Sequence, residues 1–453
     1  MYARNAISCS GDDDERVAEA QWGVTQQQPC RSNHQRRARE RDERERRERR
    51  EREESERERL QRRARERDER EREKTRERGE EREKRGEERR ERTMEGGTGA
   101  GTRLGMGMGM AMAAPGGGSS TVAVQATNDD ATASKLSCVT KGYIYDDFVH
   151  LFVRRSVKRA PIINRGYYAR WATMRMLLLQ FLESDLPNAS GPSPKKQILS
   201  LGAGFDTTFF QLVAEGRAPH KFVELDFLEV TKKKAMMIAT KEVLLSKLGP
   251  GKPEIDAGKE GIVSERYSLL PCDLRNLKDL DDAFAKAELD AKLPTLIFAE
   301  CVLIYMDPAA SRKVVKWCAD KFESAAFVIY EQIHPDDAFG QQMLKNLESR
   351  GCPLLGLHDT PTLESKERRF TDLGWQRAVA MDMDAIYHQQ LDPVDRRRIE
   401  RLEIFDEFEE WNIMQAHYCV AYGVKDDTGV FYKFGFSQKK AENVQKPITP
   451  VIM

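Results

Sequence analysis

Residues Gln197–Thr208 read QILSLGAGFDTT, and this stretch decides the fold. Ile198, Leu199, Ser200 and Leu201 are of buried-strand type, Gly202-Ala203-Gly204 interrupts them, and a helix-like segment from Thr207 to Glu215 follows. A strand that stops at glycines and turns into a helix brings bare backbone to a ligand at the strand's carboxyl end. A side chain at either glycine would hold that ligand away from the main chain. The same turn also occurs for purely structural reasons, so its meaning depends on what lies downstream.

Downstream the chain alternates. Strand-like runs fall at 197–201, 221–227, 266–274, 294–304 and 325–333. Helix-like segments separate them: Phe209–Ala214, Leu228–Leu248, Leu277–Ala287, Ala309–Phe322 and Asp336–Arg350. Such alternation predicts a doubly wound, mostly parallel α/β sheet. Two late strand-like runs, Trp375–Met383 and Ala416–Val424, flank a charged helical stretch, Asp392–Trp411. A late pair closing one sheet edge is the expected ending of a class I, Rossmann-like methyltransferase fold, an analogy that speaks to architecture and not to function. Before the sheet, Ser134–Arg155 has helical spacing interrupted at Gly142-Tyr143. A proline-led loop and a helix from Tyr167 to Glu183 follow, so residues 131–196 are expected to form an N-terminal helical cap.

The 453 residues carry no net charge, because 75 Lys and Arg balance 75 Asp and Glu, but the charges are segregated. From Gln35 to Thr93 the chain is almost entirely Arg and Glu, and it cannot bury enough apolar surface to offset the entropy of ordering. Its i,i+4 pairs, each worth about 0.2–0.5 kcal/mol, would support a fluctuating solvated helix. Interleaved Glu largely cancels the field an Arg tract offers to phosphates, which argues against nucleic acid as a partner. Met94 opens MEGGTGAGTRLG, which allows the arm to be an upstream extension absent from some of the cellular protein. Residues 95–130, rich in Gly, Met, Ala and Ser, are expected to be a linker. The domain division is therefore a disordered or low-complexity arm and linker at 1–130, and a catalytic domain at 131–453. No stretch has the ~20 apolar residues of a membrane helix, and the N-terminus lacks a secretory core. The scattered cysteines, with no CxxC pair or zinc spacing, suit free thiols in a reducing compartment. The expectation is a soluble cytoplasmic protein, with the nucleus as a further compartment, no membrane partner, no metal and a monomeric state.

In a doubly wound sheet the ligand sits at the carboxyl ends of the strands. Gly202 and Gly204 end the first, and Asp226 ends the second, close to the ~20-residue offset at which an acid meets ribose hydroxyls. Asp273-Leu274 ends the third and Glu300-Cys301 the fourth. Each acid alone also fits a helix cap or a solvated loop. Together they supply the acceptors that an adenosine group needs for its hydroxyls and amine. NAD is disfavoured, because Thr207 replaces the third fingerprint glycine and no pyrophosphate-binding basic residue follows. S-adenosylmethionine, which has no phosphate, fits better.

From about Ser134 to Val424 the chain resembles the leucine carboxyl methyltransferases, which methylate the C-terminal leucine of the protein phosphatase 2A catalytic subunit. The resemblance is carried by KGYIYDDFVHLFV, APIINRGYYAR, LSLGAGFDTTFF, FVELDF, CDLR at 272–275, LPTLIFAECVLIYM, YEQIHPDDAFGQQM, RIERLEIFDEFEEW and HYCVAYG. The Arg/Glu arm and the linker lie outside it. The resemblance implies a cofactor site made by Lys135, Arg170, Gly202, Asp226, Asp273, Leu274 and Glu300. It also implies that the phosphatase tail is the acceptor. Related families methylate small molecules or a carboxyl on a modified tRNA base. The tRNA-type relatives carry a C-terminal repeat domain, whereas this chain ends at Met453 shortly after its last strand-like run. A catalytically inactive binding protein is the reading from another class, and retention of Gly202, Asp226, Asp273 and Glu300 argues against it.

A carboxylate attacking a sulfonium methyl needs no general base, since an α-carboxyl with pKa about 3.5 is already ionised at neutral pH. No histidine is therefore nominated, and His417, in a strand-like run, is expected to be a packed core residue. Arg170 is the expected catalytic residue in a positioning role, because a guanidinium grips a carboxylate through two parallel hydrogen bonds. Tyr305, Tyr143, Tyr167 and Tyr168 could line a substrate tunnel, though ordinary aromatic packing accounts for them as well. The cap is the expected place for recognising an extended C-terminal peptide.

Overall fold

The computed structural model describes residues 119–153, 156–186, 193–249, 251, 253–255 and 261–437. The Arg/Glu arm lies outside the described residues. Helix α1 (Ser119–Thr140) and helix α2 (Pro161–Glu183) precede the first strand. The expected linker therefore ends earlier than residue 130. Its final stretch is helical although it looks polar, and Asn128 on it accepts from the Phe205 N–H at 2.8 Å, a tertiary contact that composition does not reveal. The expected proline-led loop is also helix. Pro161 opens α2, where its missing N–H would be unsatisfied in any case.

The strands are β1 (Gln197–Leu201), β2 (Lys221–Asp226), β3 (Glu254–Ile255), β4 (Ile262–Val263), β5 (Tyr267–Pro271), β6 (Thr295–Glu300), β7 (Ser324–Gln332), β8 (Arg377–Asp382) and β9 (Tyr418–Asp426). They form one nine-stranded sheet in the order β3-β4-β5-β2-β1-β6-β7-β9-β8. From β5 through β7 all neighbours are parallel, while β9 runs antiparallel between β7 and β8. The chain leaves β1 toward β2 and β5 on one side and returns to β6 and β7 on the other, so the direction of winding switches beside β1. Leu201 pairs with Leu225 of β2 and with Ala299 of β6, which brings Gly202, Asp226 and Glu300 to one edge of the sheet. The short hairpin of β3 and β4 escaped the sequence reading.

Strand periodicity sends alternate residues to two cores. Ile198, Phe222, Leu296 and Val328 pack with Phe209, Phe181 and Ile238 of the helices on one face. Leu199, Val223, Ile297 and Phe327 pack with Leu280, Val314 and Phe370 on the other. The expected long helix Leu228–Leu248 is two, Leu228–Ala239 and Glu242–Leu245, and the Thr240 hydroxyl bonds back to the Met236 carbonyl at 2.9 Å where the first stops. The expected charged helix Asp392–Trp411 is likewise divided, into Pro393–Ile399 and Phe408–Ala416. A further helix, Leu363–Thr371, was not foreseen; Thr362 and Ser365 close its first turn with a capping box.

Each core encloses a charged cluster. On β2, Glu224 pairs with Lys234 and accepts from the Tyr267 hydroxyl at 2.8 Å. On β7, Glu331 accepts from Lys366 at 2.6 Å and from Arg369 at 3.0 Å. All five charged side chains, Glu224, Lys234, Glu331, Lys366 and Arg369, are buried.

Candidate active site

A cavity of about 670 Å³ opens at the carboxyl ends of β1, β2, β5, β6 and β7, beneath α1 and α2. Its floor is the glycine turn. Gly202 and Gly204 adopt φ of +65° and +53°, the left-handed region that favours glycine. A Cβ on Gly202 would stand 2.5 Å from a Val302 methyl, and one on Gly204 would stand 2.5 Å from Asn128 Oδ1. Asp226 accepts from the backbone N–H groups of Gly204 and Phe227, both at 2.7 Å, so the second strand's acid also shapes the turn. Burial raises the Asp226 carboxyl above its ordinary value, with these N–H groups opposing the shift.

Asp273 is held by Arg275, whose hydrogen bonds lower its carboxyl below the usual range; Nη2 donates at 2.6 Å. Leu274 follows on the cavity wall, buried. Across the switch, Arg170 Nε donates to Glu300 Oε2 at 2.6 Å, and its guanidinium lies 4.7 Å above the Tyr330 ring. Burial opposes the charge on Arg170, but Glu300 together with Cys301, Tyr330 and Tyr167 outweighs it and keeps the guanidinium more firmly protonated than usual. Lys135, from α1, reaches Asp146 at 2.9 Å, Asp206 at 3.3 Å and the Thr207 hydroxyl at 2.7 Å. Burial alone would lower its ammonium, yet Asp146 and Asp206 raise it above its ordinary value. Burial likewise opposes ionisation of Asp206, and Lys135 with Lys234 holds that carboxyl down at about 2.

The structure thus brings Lys135, Arg170, Gly202, Asp226, Asp273, Leu274 and Glu300 to one cavity, together with Tyr167 and Tyr305. Tyr143 and Tyr168 are not part of its wall. Successive helical residues diverge by about 100°, so Tyr167 and Arg170 share a face of α2 while Tyr168 leaves it. The Tyr168 hydroxyl donates to Asp395 at 2.7 Å, and Tyr143 is buried where its carbonyl accepts from Arg398 at 3.0 Å. His417 is buried and pairs with Asp337 at 2.9 Å, outside the cavity wall. Sequence reasoning missed Asn128, whose Oδ1 accepts from the Phe205 N–H at 2.8 Å and clamps the glycine turn from α1. It also missed Gln332, Gln415 and Tyr418, which close the far side. Cys301, beside Glu300, has φ of +56°, and burial pushes its thiol up to about 11. Among the described residues no cluster of His, Cys, Asp and Glu has the makings of a metal site, and no helix is long and apolar enough to cross a membrane.

A sheet that is parallel from β5 through β7, with antiparallel β9 inserted between β7 and β8 and acids rimming the cavity at the strand ends, has the architecture of a class I methyltransferase fold. The family model described as Leucine carboxyl methyltransferase matches residues 123–319. This chain belongs to the leucine carboxyl methyltransferase family, whose members are carboxyl-methylating enzymes: it is 58% identical over 322 residues to the Leucine carboxyl methyltransferase 1 homolog of Arabidopsis thaliana, covering 71% of this chain and 95% of that relative. It is 38% identical over 311 residues to the Leucine carboxyl methyltransferase 1 of Bos taurus, covering 67% and 90%. The tRNA wybutosine-synthesizing protein 4 of Homo sapiens is 41% identical over 307 residues, which cover 68% of this chain and 44% of that protein.

Proposed function

We propose that this protein uses S-adenosylmethionine to methylate the α-carboxylate of a C-terminal leucine, that of the protein phosphatase 2A catalytic subunit. The observation that carries the reading is its 58% identity to a relative named for leucine carboxyl methyl transfer, over 95% of that relative's length. The cavity's chemistry suits the cofactor. Gly202 and Gly204 hold a left-handed turn in which a Cβ would strike Val302 or Asn128, so only bare backbone fits where the turn lines the cavity. Asp226 and Asp273 offer acceptors for hydroxyls and an amine, Leu274 offers an apolar flank, and Lys135, Arg170 and Glu300 match a zwitterionic amino-acid end. When bound, the cofactor supplies an electrophilic methyl group on a sulfonium.

What remains for the protein is placement. The acceptor carboxylate is ionised at neutral pH, so no side chain has to remove a proton. Arg170, at the boundary between the glycine turn and the tyrosine-lined wall, can hold either the cofactor's methionyl carboxylate or the acceptor's terminal one. Correct alignment supplies about 7–11 kcal/mol of a barrier of this kind. Residues of the cap helices α1 and α2 line the cavity, a placement that suits a transfer from which water must be excluded.

The experiment is transfer of label from methyl-labelled cofactor to purified phosphatase catalytic subunit. The expected outcome is one base-labile methyl ester at the terminal leucine, and none on a subunit lacking that leucine. Label on Asp or Glu side chains would refute the reading. The 41% identity to a tRNA wybutosine-synthesizing protein supports a second acceptor, a carboxyl on a modified tRNA base. Labelling of tRNA but not phosphatase in the same assay would select it.

A further inference from the structure

Two buried amides on the far side of the cavity have no part in the transfer chemistry derived above. Along β7, Tyr330 and Gln332 share one face, while Glu331 between them points to Lys366 and Arg369. Gln332 stands directly opposite Tyr418 of β9, whose ring stacks on Tyr330 at 5.4 Å. The Gln332 Nε2 reaches the Cys301 sulfur at 3.9 Å, which turns the side-chain carbonyl away from that thiol. Gln415, near the end of the helix Phe408–Ala416, places its Nε2 3.7 Å from the point where a Cβ on Gly166 would stand. Both glutamines line the cavity, and each is only 3% exposed. Among the described residues, neither Oε1 has a hydrogen-bond partner.

A buried carbonyl without a donor is costly, and its complement is an N–H group. A carboxylate brings acceptors only. A peptide's C-terminus brings both, because the carbon that bears the carboxylate also bears an amide N–H, and a second N–H lies one residue back. Tyr330, two residues before Gln332 and on the same face of β7, lies under the Arg170 guanidinium, so Gln332 follows along the strand from the group that can grip a carboxylate.

We propose that Gln332 and Gln415 are specificity-determining residues that accept the main-chain N–H groups of a peptide acceptor, Gln332 that of the terminal residue and Gln415 that of the residue before it. This rests on the C-terminal carboxylate reading and deepens it: the site recognises peptide main chain as well as a carboxyl group. A small organic acid, or an Asp or Glu side chain, cannot present an N–H at that position and is disfavoured.

The test uses the full-length protein, S-adenosylmethionine and a synthetic peptide of the phosphatase tail with a free terminal leucine. Two companion peptides carry an N-methyl group on the terminal leucine or on the residue before it, removing one N–H at a time. With the wild-type protein each N-methylation is expected to raise KM about tenfold with little change in kcat. Gln332→Leu should raise KM for the unmodified peptide by a similar factor and make the first N-methylation nearly silent. Gln415→Leu should do the same for the second, with cofactor Kd unchanged in both. An equal penalty for N-methylation in all three proteins would overturn the proposal. So would an unchanged KM for both N-methyl peptides on the wild-type protein, a result that needs no variant to fold. Failure of the wild type to esterify the intact phosphatase would instead sink the function proposed above, and this inference with it; esterification of the phosphatase but not of the unmodified peptide would overturn this inference alone.

Discussion

The two halves of the cavity rest on two buried carboxyls that behave oppositely. Beneath the glycine turn, Glu224 faces one ammonium, Lys234, and burial pushes its carboxyl up to about 7. Beneath the tyrosine wall, Glu331 is equally buried but faces two cations, Lys366 and Arg369, which overcome burial and lower its carboxyl below the ordinary value. One cation does not fully offset the desolvation of a buried carboxylate; two do. Lys234 is also shared, since its ammonium donates to the Asp206 carbonyl at 2.8 Å as well. The half assigned to the cofactor is therefore underlain by a carboxyl poised to titrate, and the half assigned to the acceptor by a fixed charge.

The largest effect is expected where the halves meet. Arg170→Ala removes the ion pair to Glu300 and should lower methyl transfer by about a thousandfold or more while leaving the thermal transition nearly intact. Wild-type turnover in that variant would break the division of labour. Next is Lys366→Met, which leaves Glu331 with one cation, as Glu224 has. Chemical denaturation should show a loss of about 3–5 kcal/mol. A neutral result would mean that the second cation is dispensable. Asn128→Ala leaves the Phe205 N–H without its acceptor and should cost about 1–3 kcal/mol, accompanied by weaker cofactor binding in a titration.

The smallest effect is expected at Glu224, where Gln replaces a group that is half ionised at pH 7 and keeps an oxygen for the Lys234 and Tyr267 donors; a loss of about 1 kcal/mol is expected. The pH dependence is more telling. A folded-state pKa raised from 4.5 to about 7 contributes stability that is fully present below pH 4.5 and is lost as pH rises through 7. Asp206, lowered from 3.8 to about 2, contributes stability that is present above pH 3.8 and lost as pH falls through 2. Glu224→Gln should flatten the stability profile between pH 4.5 and 7 and leave the acid limb untouched. A profile unchanged in both windows would contradict the contrast between the two carboxyls.

The cofactor half was legible in the sequence because its chemistry is written at strand ends. Alternation locates β1, β2, β5 and β6, and the residues where they stop, Gly202, Asp226, Asp273 and Glu300, face one cavity by the register alone. The other half leaves no such trace. Gln332, Gln415 and Tyr418 come together only because β9 lies against β7, and nothing local marks an amide as facing a cavity instead of packing. Tyr143 shows the converse: the sequence left it open between a tunnel wall and ordinary packing, and its side chain is buried outside the wall. Asn128 was lost to composition, since a run of Thr, Asn and Asp looks like a linker unless the helix carrying it is already known.

The position of β9 also sets an order in time. β7, at 324–332, has β6 on one side from early in synthesis, but its other neighbour is residues 418–426. While the intervening segment is still emerging from the ribosome, β7 presents an unpaired edge of apolar residues, Ala325 to Tyr330, of the kind that other chains can join. The glycine turn and its acids can form on that partial sheet; Tyr418, which stacks on Tyr330, cannot arrive until nearly the whole chain has been made. A nascent or truncated product would thus acquire the half assigned to the cofactor before the half assigned to the acceptor.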